Sequence, residues 1–115
     1  MNLNSIIFHT DNIEGLRNFY EDFLGFKTGS YFKDGVEYPD FDETYVNYHL
    51  DNGLLCFEKD DGRLDLGTIV IDQVDLQGIS KLIEQHSLEL IRKGEFFLII
   101  KDPDGRSIIF EQQKS

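Results

Sequence analysis

The chain has 115 residues, 40% of them hydrophobic and 13% aromatic, with a net charge of −11 from 22 acidic and 11 basic side chains. That length suits one domain, 1–115, because two independent halves would each fall near the limit at which a core suffices. The acidic field excludes nucleic acid and anionic membranes as partners and favours cations. No apolar run is long enough to span a bilayer, and no basic-then-apolar leader is present. The single cysteine, Cys56, rules out an internal disulfide and fits a cytoplasmic protein. Between Asp34 and Asp61 stand nine acids and one base, Lys59, so −8 of the charge is concentrated there.

Taken in order, Leu3 to Thr10 is rich in Ile and Phe and predicts a strand. Asp11-Asn12-Ile13-Glu14 predicts a helix start, with Asp11 as N-cap and Glu14 completing a capping box. Ile13, Leu16, Phe19, Tyr20, Phe23 and Leu24 recur at helical spacing, and Gly25 stands where the helix should stop. Phe26 to Phe32 predicts a second strand, and the polar stretch Lys33 to Glu43 a loop. Thr44 to Leu50 and Leu54 to Lys59 predict a hairpin across Asp51-Asn52-Gly53.

The second half repeats this order. Leu66 to Ile71 predicts a strand, and Asp72-Gln73-Val74-Asp75 mirrors the first helix start at an offset of 61. Val74, Ile79, Leu82 and Ile83 mark the apolar side of a helix ending near His86. Leu88 to Arg92, Glu95 to Lys101 and Arg106 to Gln112 predict three strands, the last two joined by the turn Asp102-Pro103-Asp104-Gly105. Leu54-Leu55-Cys56-Phe57-Glu58 aligns with Ser107-Ile108-Ile109-Phe110-Glu111 at an offset of 53. Each half is therefore β-α-β-β-β, module 1 over about 1–62 and module 2 over about 63–115, as a duplication would leave them.

This order, with Phe19-Tyr20-Glu21-Asp22-Phe23-Leu24-Gly25-Phe26 and Asp102-Pro103-Asp104-Gly105, resembles the vicinal oxygen chelate superfamily. That superfamily includes glyoxalase I, bleomycin-resistance proteins, fosfomycin-resistance enzymes and extradiol dioxygenases. The resemblance implies an α+β fold: two tandem βαβββ modules forming a curved, half-barrel mixed sheet with helices on its outer face. It also implies metal-ligand positions, which transfer by spacing to Asn4, Cys56, Ile109 and Leu66, or Gly67 if the register slips by one. Those side chains do not make a divalent-metal site, so no metal and no cofactor are expected. Glu58, Glu111 and His49 stand near enough in strand register to offer a relocated metal site, which keeps a glyoxalase-like lyase or dioxygenase open as the alternative. A small interaction domain with a vestigial cavity is a third reading.

Strand alternation assigns faces. Val46, Tyr48, Leu50, Leu55 and Phe57 are expected to face the first helix, and Phe96, Leu98, Ile100, Ile108 and Phe110 the second. Asn4, Ile6 and Phe8 are expected to face a cavity with Tyr45, Asn47, His49, Leu54, Cys56 and Glu58, and so are Glu95, Phe97, Ile99, Ile109 and Glu111. The expected ligand-binding residues are Phe8, Tyr45, Asn47, His49, Glu58, Glu95, Phe97, Ile99 and Glu111. Aromatic walls edged by carboxylates suit a cationic or aromatic small molecule. By resemblance to the bleomycin-resistance branch, the expected function is metal-independent sequestration of such a ligand by a homodimer. No catalytic residue is assigned.

Overall fold

The computed structural model of this chain describes Met1 and residues 3–112. Over these residues the protein is α+β, with nine strands in three open sheets and two helices, and it divides into two compact units, 1–65 and 66–115.

In the first unit, β1 (Ser5–Thr10) leads into α1 (Ile13–Arg17), which continues without a break as a π-helical segment (Asn18–Phe23). There follow β2 (Ser30–Lys33), β3 (Val36–Pro39), β4 (Tyr45–Leu50) and β5 (Gly53–Lys59). The main sheet has the order β1-β5-β4, with β1 parallel and β4 antiparallel to the central strand. The second unit holds β6 (Thr68–Val74), α2 (Leu76–Gln85), β7 (Arg92–Lys93), β8 (Phe97–Lys101) and β9 (Ser107–Gln112), in the order β6-β9-β8-β7. In both units the last strand takes the sheet's interior, parallel to the first.

The pairing fixes how the halves correspond. Ile6 pairs with Leu55 and Ile69 with Ile108, which is an offset of 63 on the first strand and 53 on the last. Leu54 donates its N–H to the Asn4 carbonyl at 2.9 Å, and Ser107 donates to Gly67 at 3.0 Å, the same bond at the same offsets. The helix caps agree with 63 and not with 61. The first N-cap is Asn12, whose Oδ1 accepts from Gly15 N at 3.0 Å, and the second is Asp75, whose Oδ1 accepts from Gln77 N at 3.1 Å. Asp11 therefore stands one residue before its expected role, and Asp72 lies inside β6. An amide caps as well as a carboxylate, so the Asp-Asn pair in the sequence does not decide between them.

Gly15 carries a role that its helix cost alone would not suggest. A Cβ built there would fall 2.3 Å from the Asn12 side chain, so the cap and the glycine belong together. Beyond α1 the helix widens, with Leu24 N–H bonding to the Phe19 carbonyl at 3.1 Å, and it is capped by Phe26 N–H on the Tyr20 carbonyl at 2.8 Å. The wider turn keeps Leu16, Phe19, Tyr20 and Phe23 buried on one side. Gly25, at φ 73°, turns the chain out of the helix as expected.

The acidic stretch expected as a loop is a hairpin. Lys33 pairs with Val36 across Asp34-Gly35, whose φ angles of 53° and 78° are those of a two-residue type I′ turn. Other boundaries also differ from expectation: β2 begins at Ser30, and β7 covers only Arg92–Lys93.

The main sheet of each unit buries one face against that unit's helix. In the first unit that face is aromatic: Tyr20 lies 4.9 Å from Phe57 and 5.9 Å from Tyr48, ring centre to ring centre. The Tyr48 hydroxyl donates to Glu21 Oε2 at 3.0 Å, and Glu21 also holds Arg17 at 2.7 and 3.1 Å. Burial, reinforced by the Glu21 carboxylate, pushes the Tyr48 phenol far above the usual tyrosine range. In the second unit the buried face is mostly aliphatic, with Ile83, Leu98, Ile100, Ile108 and Phe110. Leu50 and Phe96, expected in these cores, are exposed.

The turn before β9 is held by charge. Asp102 Oδ1 accepts from Asp104 N at 3.0 Å and Arg106 N at 2.9 Å, while Oδ2 lies 3.1 Å from Arg106 Nη1. Asp104 Oδ2 takes the same Nη1 at 2.8 Å. Arg106 is fully buried (0% exposed), so its charge persists there only with these carboxylates around it.

Candidate functional site

The sheet face of the first unit that points away from α1 carries most of the chemistry. Parallel pairing puts Phe8 beside Phe57, their rings stacked at 6.0 Å, so Phe8 belongs to the helix side. That corrects the expected placement of Phe8, Ile6 and Asn4 on the cavity side. Ser5, Ile7 and His9 take the other face, opposite Leu54, Cys56 and Glu58.

Three rows result across β4, β5 and β1: His49–Leu54–Ser5, Asn47–Cys56–Ile7 and Tyr45–Glu58–His9. The third row is the most polar. His9 Nδ1 lies 2.7 Å from Asp65 Oδ2, and the His9 backbone N–H donates to the same oxygen at 2.9 Å. Arg63 Nε donates to the other Asp65 oxygen at 3.0 Å. These bonds, the imidazole first, lower the Asp65 carboxyl to about 2. An ionised carboxylate only accepts, so Nδ1 is the protonated nitrogen and Nε2 faces Glu58, 3.8 Å away.

At the opposite corner Asp40 binds two of the expected residues at once. Asn47 Nδ2 donates to its Oδ1 at 3.0 Å, and His49 Nε2 lies 2.7 Å from its Oδ2. The His49 ring lies over Gly29, where a Cβ would come within 2.4 Å of it. Partial burial, with Tyr31, Asp40 and Asp42 nearby, raises the Tyr45 phenol. Cys56 is 5% exposed, and burial pushes its thiol up, which suits an inert side chain rather than a nucleophile.

In the second unit the corresponding face joins Phe97 to Glu111 and Ile99 to Ile109 by cross-strand pairing. The Phe97 ring covers Gly94, where a Cβ would come within 2.0 Å of it, and the Arg92 guanidinium lies 5.8 Å from its centre. Glu95 lies outside β8 and is exposed. His9, Asp40 and Asp65 were not legible as site residues. His9 follows from the pairing of β1, whereas Asp40 and Asp65 are joined to their histidines only by the fold.

A groove of about 790 Å³ runs elsewhere on the first unit, along the start of α1, and includes Asp11, Glu14, Asp22, Asp42, Glu43 and Lys59. None of the expected site residues lines it.

No protein-family profile matches the chain, and no curated protein matches it by sequence. Solved structures do. A lactoylglutathione lyase from Agrobacterium tumefaciens superposes with a TM-score of 0.70 at 12% identity, over 96% of this chain and 92% of its own. A Bacillus subtilis protein of unknown function, a putative glyoxalase/fosfomycin resistance protein, gives 0.68 at 17% identity over 99% and 90%. A possible glyoxalase from Bacillus cereus gives 0.71 at 10% identity over 96% and 98%. The chain has the vicinal oxygen chelate fold. At such identities the likeness establishes architecture and leaves activity to the residues.

Those residues fit the fold's metal poorly. With the helix capped at Asn12, the first-strand position moves from Asn4 to Ser5, and the offset of 63 carries the equivalent from Leu66 to Thr68. The set is then Ser5, Cys56, Thr68 and Ile109: two neutral hydroxyls, a buried thiol and a hydrocarbon. Hard divalent ions need carboxylate or imidazole donors that these positions do not offer. Among the described residues no group of three or more His, Cys, Asp or Glu is placed to hold a metal ion. No helix among them is long and apolar enough to cross a membrane.

Proposed function

We propose that this protein binds a cationic, aromatic small molecule on the β4-β5-β1 face of its first unit and acts by sequestering it, without a metal ion. The observation that carries this reading is the row Tyr45–Glu58–His9, an aromatic ring, a half-exposed carboxylate and a hydrogen-bonding ring on adjacent strands. A net charge of −11, concentrated in the segment that builds this face, draws cations toward it. Open sheet edges favour pairing of two copies, so we take the working form to be a cytoplasmic homodimer, as in the bleomycin-resistance branch. A thermal-shift screen should show cationic aromatic compounds raising the melting temperature and Glu58→Gln weakening the response. If only neutral or anionic compounds stabilise the protein, the reading is wrong.

A second reading has one observation in its favour. Asp65 behind His9 repeats the carboxylate–imidazole arrangement that orients metal-binding histidines elsewhere, with Glu58 beside the ring. A lyase or dioxygenase with ligands moved to His9 and Glu58 would carry a stoichiometric divalent ion after purification. Elemental analysis of the protein and of His9→Ala separates the two readings.

A further inference from the structure

The hairpin β2–β3, which composition alone presents as a loop, places two tyrosines where the proposed cation would meet them. Tyr31 and Tyr38 are cross-strand partners, stacked at 5.5 Å with their planes 23° apart. They remain 44% and 41% exposed, unusual for rings already in contact. The Tyr45 phenol lies near Tyr31, and Tyr45 is the cross-strand partner of Glu58, which brings the hairpin's rings alongside the Tyr45–Glu58–His9 row. The stacked pair and Tyr45 thus share one neighbourhood, with Asp40 and Asp42 close to the Tyr45 phenol and Glu58 across the strand from it.

We propose that Tyr31, Tyr38 and Tyr45 form a cation-recognition surface for alkylated ammonium groups, in particular quaternary ones. This rests on the cationic-ligand reading above and specifies its chemistry. The ring faces attract a cation electrostatically and need no N–H from it. Asp40, near the Tyr45 phenol, already has both oxygens engaged, one by Asn47 and one by His49. Asp42 Oδ1 is likewise taken by the N–H and hydroxyl of Thr44. Part of the acceptor capacity of these carboxylates is thus already used and what they add is negative field, which suits a charge wrapped in methyl groups that donates no hydrogen bond. The alkyl shell in turn covers exposed ring surface that water otherwise contacts.

Titration of the protein with benzyltrimethylammonium and with benzylammonium, followed by calorimetry and by tyrosine ring resonances, tests this. The quaternary cation should bind more tightly, and Tyr31→Leu or Tyr38→Leu should weaken it by about 5- to 10-fold. Tyr31→Phe, which keeps the ring face, should stay within about twofold. Ring resonances of the unaltered protein should shift on adding the quaternary cation, a readout independent of how any variant folds. Equal or tighter binding of benzylammonium, unchanged affinity in both Leu variants, or unmoved ring resonances would overturn the tyrosine surface while cation binding stood. Failure of both cations to bind would remove the cationic-ligand reading itself.

Discussion

Superposed by their pairing registers, the two units share three strands, with β1, β4 and β5 matching β6, β8 and β9, and they differ in the side chains those strands carry away from the helix. Tyr45, Asn47 and His49 of β4 stand where β8 has Phe97, Ile99 and Lys101, and Cys56 stands where β9 has Ile109. His9 corresponds to Asp72, whereas Glu58 matches Glu111, Ser5 matches Thr68 and Ile7 matches Val70 in character. The buried faces differ the other way, with linked aromatic rings in the first unit and mostly aliphatic side chains in the second. The hairpins diverge too. The first closes on the two residues Asp51-Asn52, whereas the second needs Asp102 to Arg106 and a buried ion cluster. One backbone plan thus supports two different surfaces, because outward-facing strand positions tolerate exchange that the pairing itself does not. The hydrogen-bonded polar side chains gather on the face of the first unit, and the same face of the second has Phe97, Ile99 and Ile109 at its centre.

The sharpest way to break this comparison is at the ion cluster. Asp102→Ala should cost about 3–5 kcal/mol in urea unfolding, since it strands a buried guanidinium and removes two turn bonds. A loss below about 1 kcal/mol would mean that Asp104 alone suffices and that the two hairpins are not differently held. Next, Phe57→Ala should cost about 3–5 kcal/mol by opening the ring cluster around Tyr20 and Tyr48.

Tyr48→Phe should cost about 1 kcal/mol by removing the hydroxyl bond to Glu21. It should also abolish the tyrosine that ionises last in an alkaline absorbance titration. Because burial raises this phenol, its contribution is complete at neutral pH and declines as pH climbs past the ordinary tyrosine range near 10. The equivalent caps offer a finer test: Asn12→Ala and Asp75→Ala should each cost about 1 kcal/mol, in parallel. The smallest effect concerns Asp65. Its carboxyl is depressed to about 2, so its contribution is present above the usual range near pH 4 and fades as pH falls toward 2. Asp65→Asn should therefore flatten the melting temperature across that interval.

The sequence carried more of the architecture than of the site, for identifiable reasons. β4 alternates polar and apolar residues, and the turn before β9 together with the duplicated endings of β5 and β9 made both the fold and the offset of 53 legible. β1 does not alternate: Ile6-Ile7-Phe8 is apolar throughout, and only its pairing with β5 decides which side chain faces where. That ambiguity put Phe8 on the wrong side and concealed His9. Asp34-Gly35 was a usable hairpin signal, masked by the surrounding acids. Asp40 and Asp65 meet their histidines across 9 and 56 residues, distances over which no local pattern operates.

The central place of β5 and β9 also bears on synthesis. On the ribosome β1 and β6 each emerge well before the strand they pair with, so neither sheet is complete until its own middle arrives. A nascent chain stopped just short of Ser107 would lack the interior of its second sheet rather than an edge, leaving β6 and β8 with no strand to join them. Stalled or clipped products ending there should be poor at hiding their apolar strands and become early targets of chaperones and proteases.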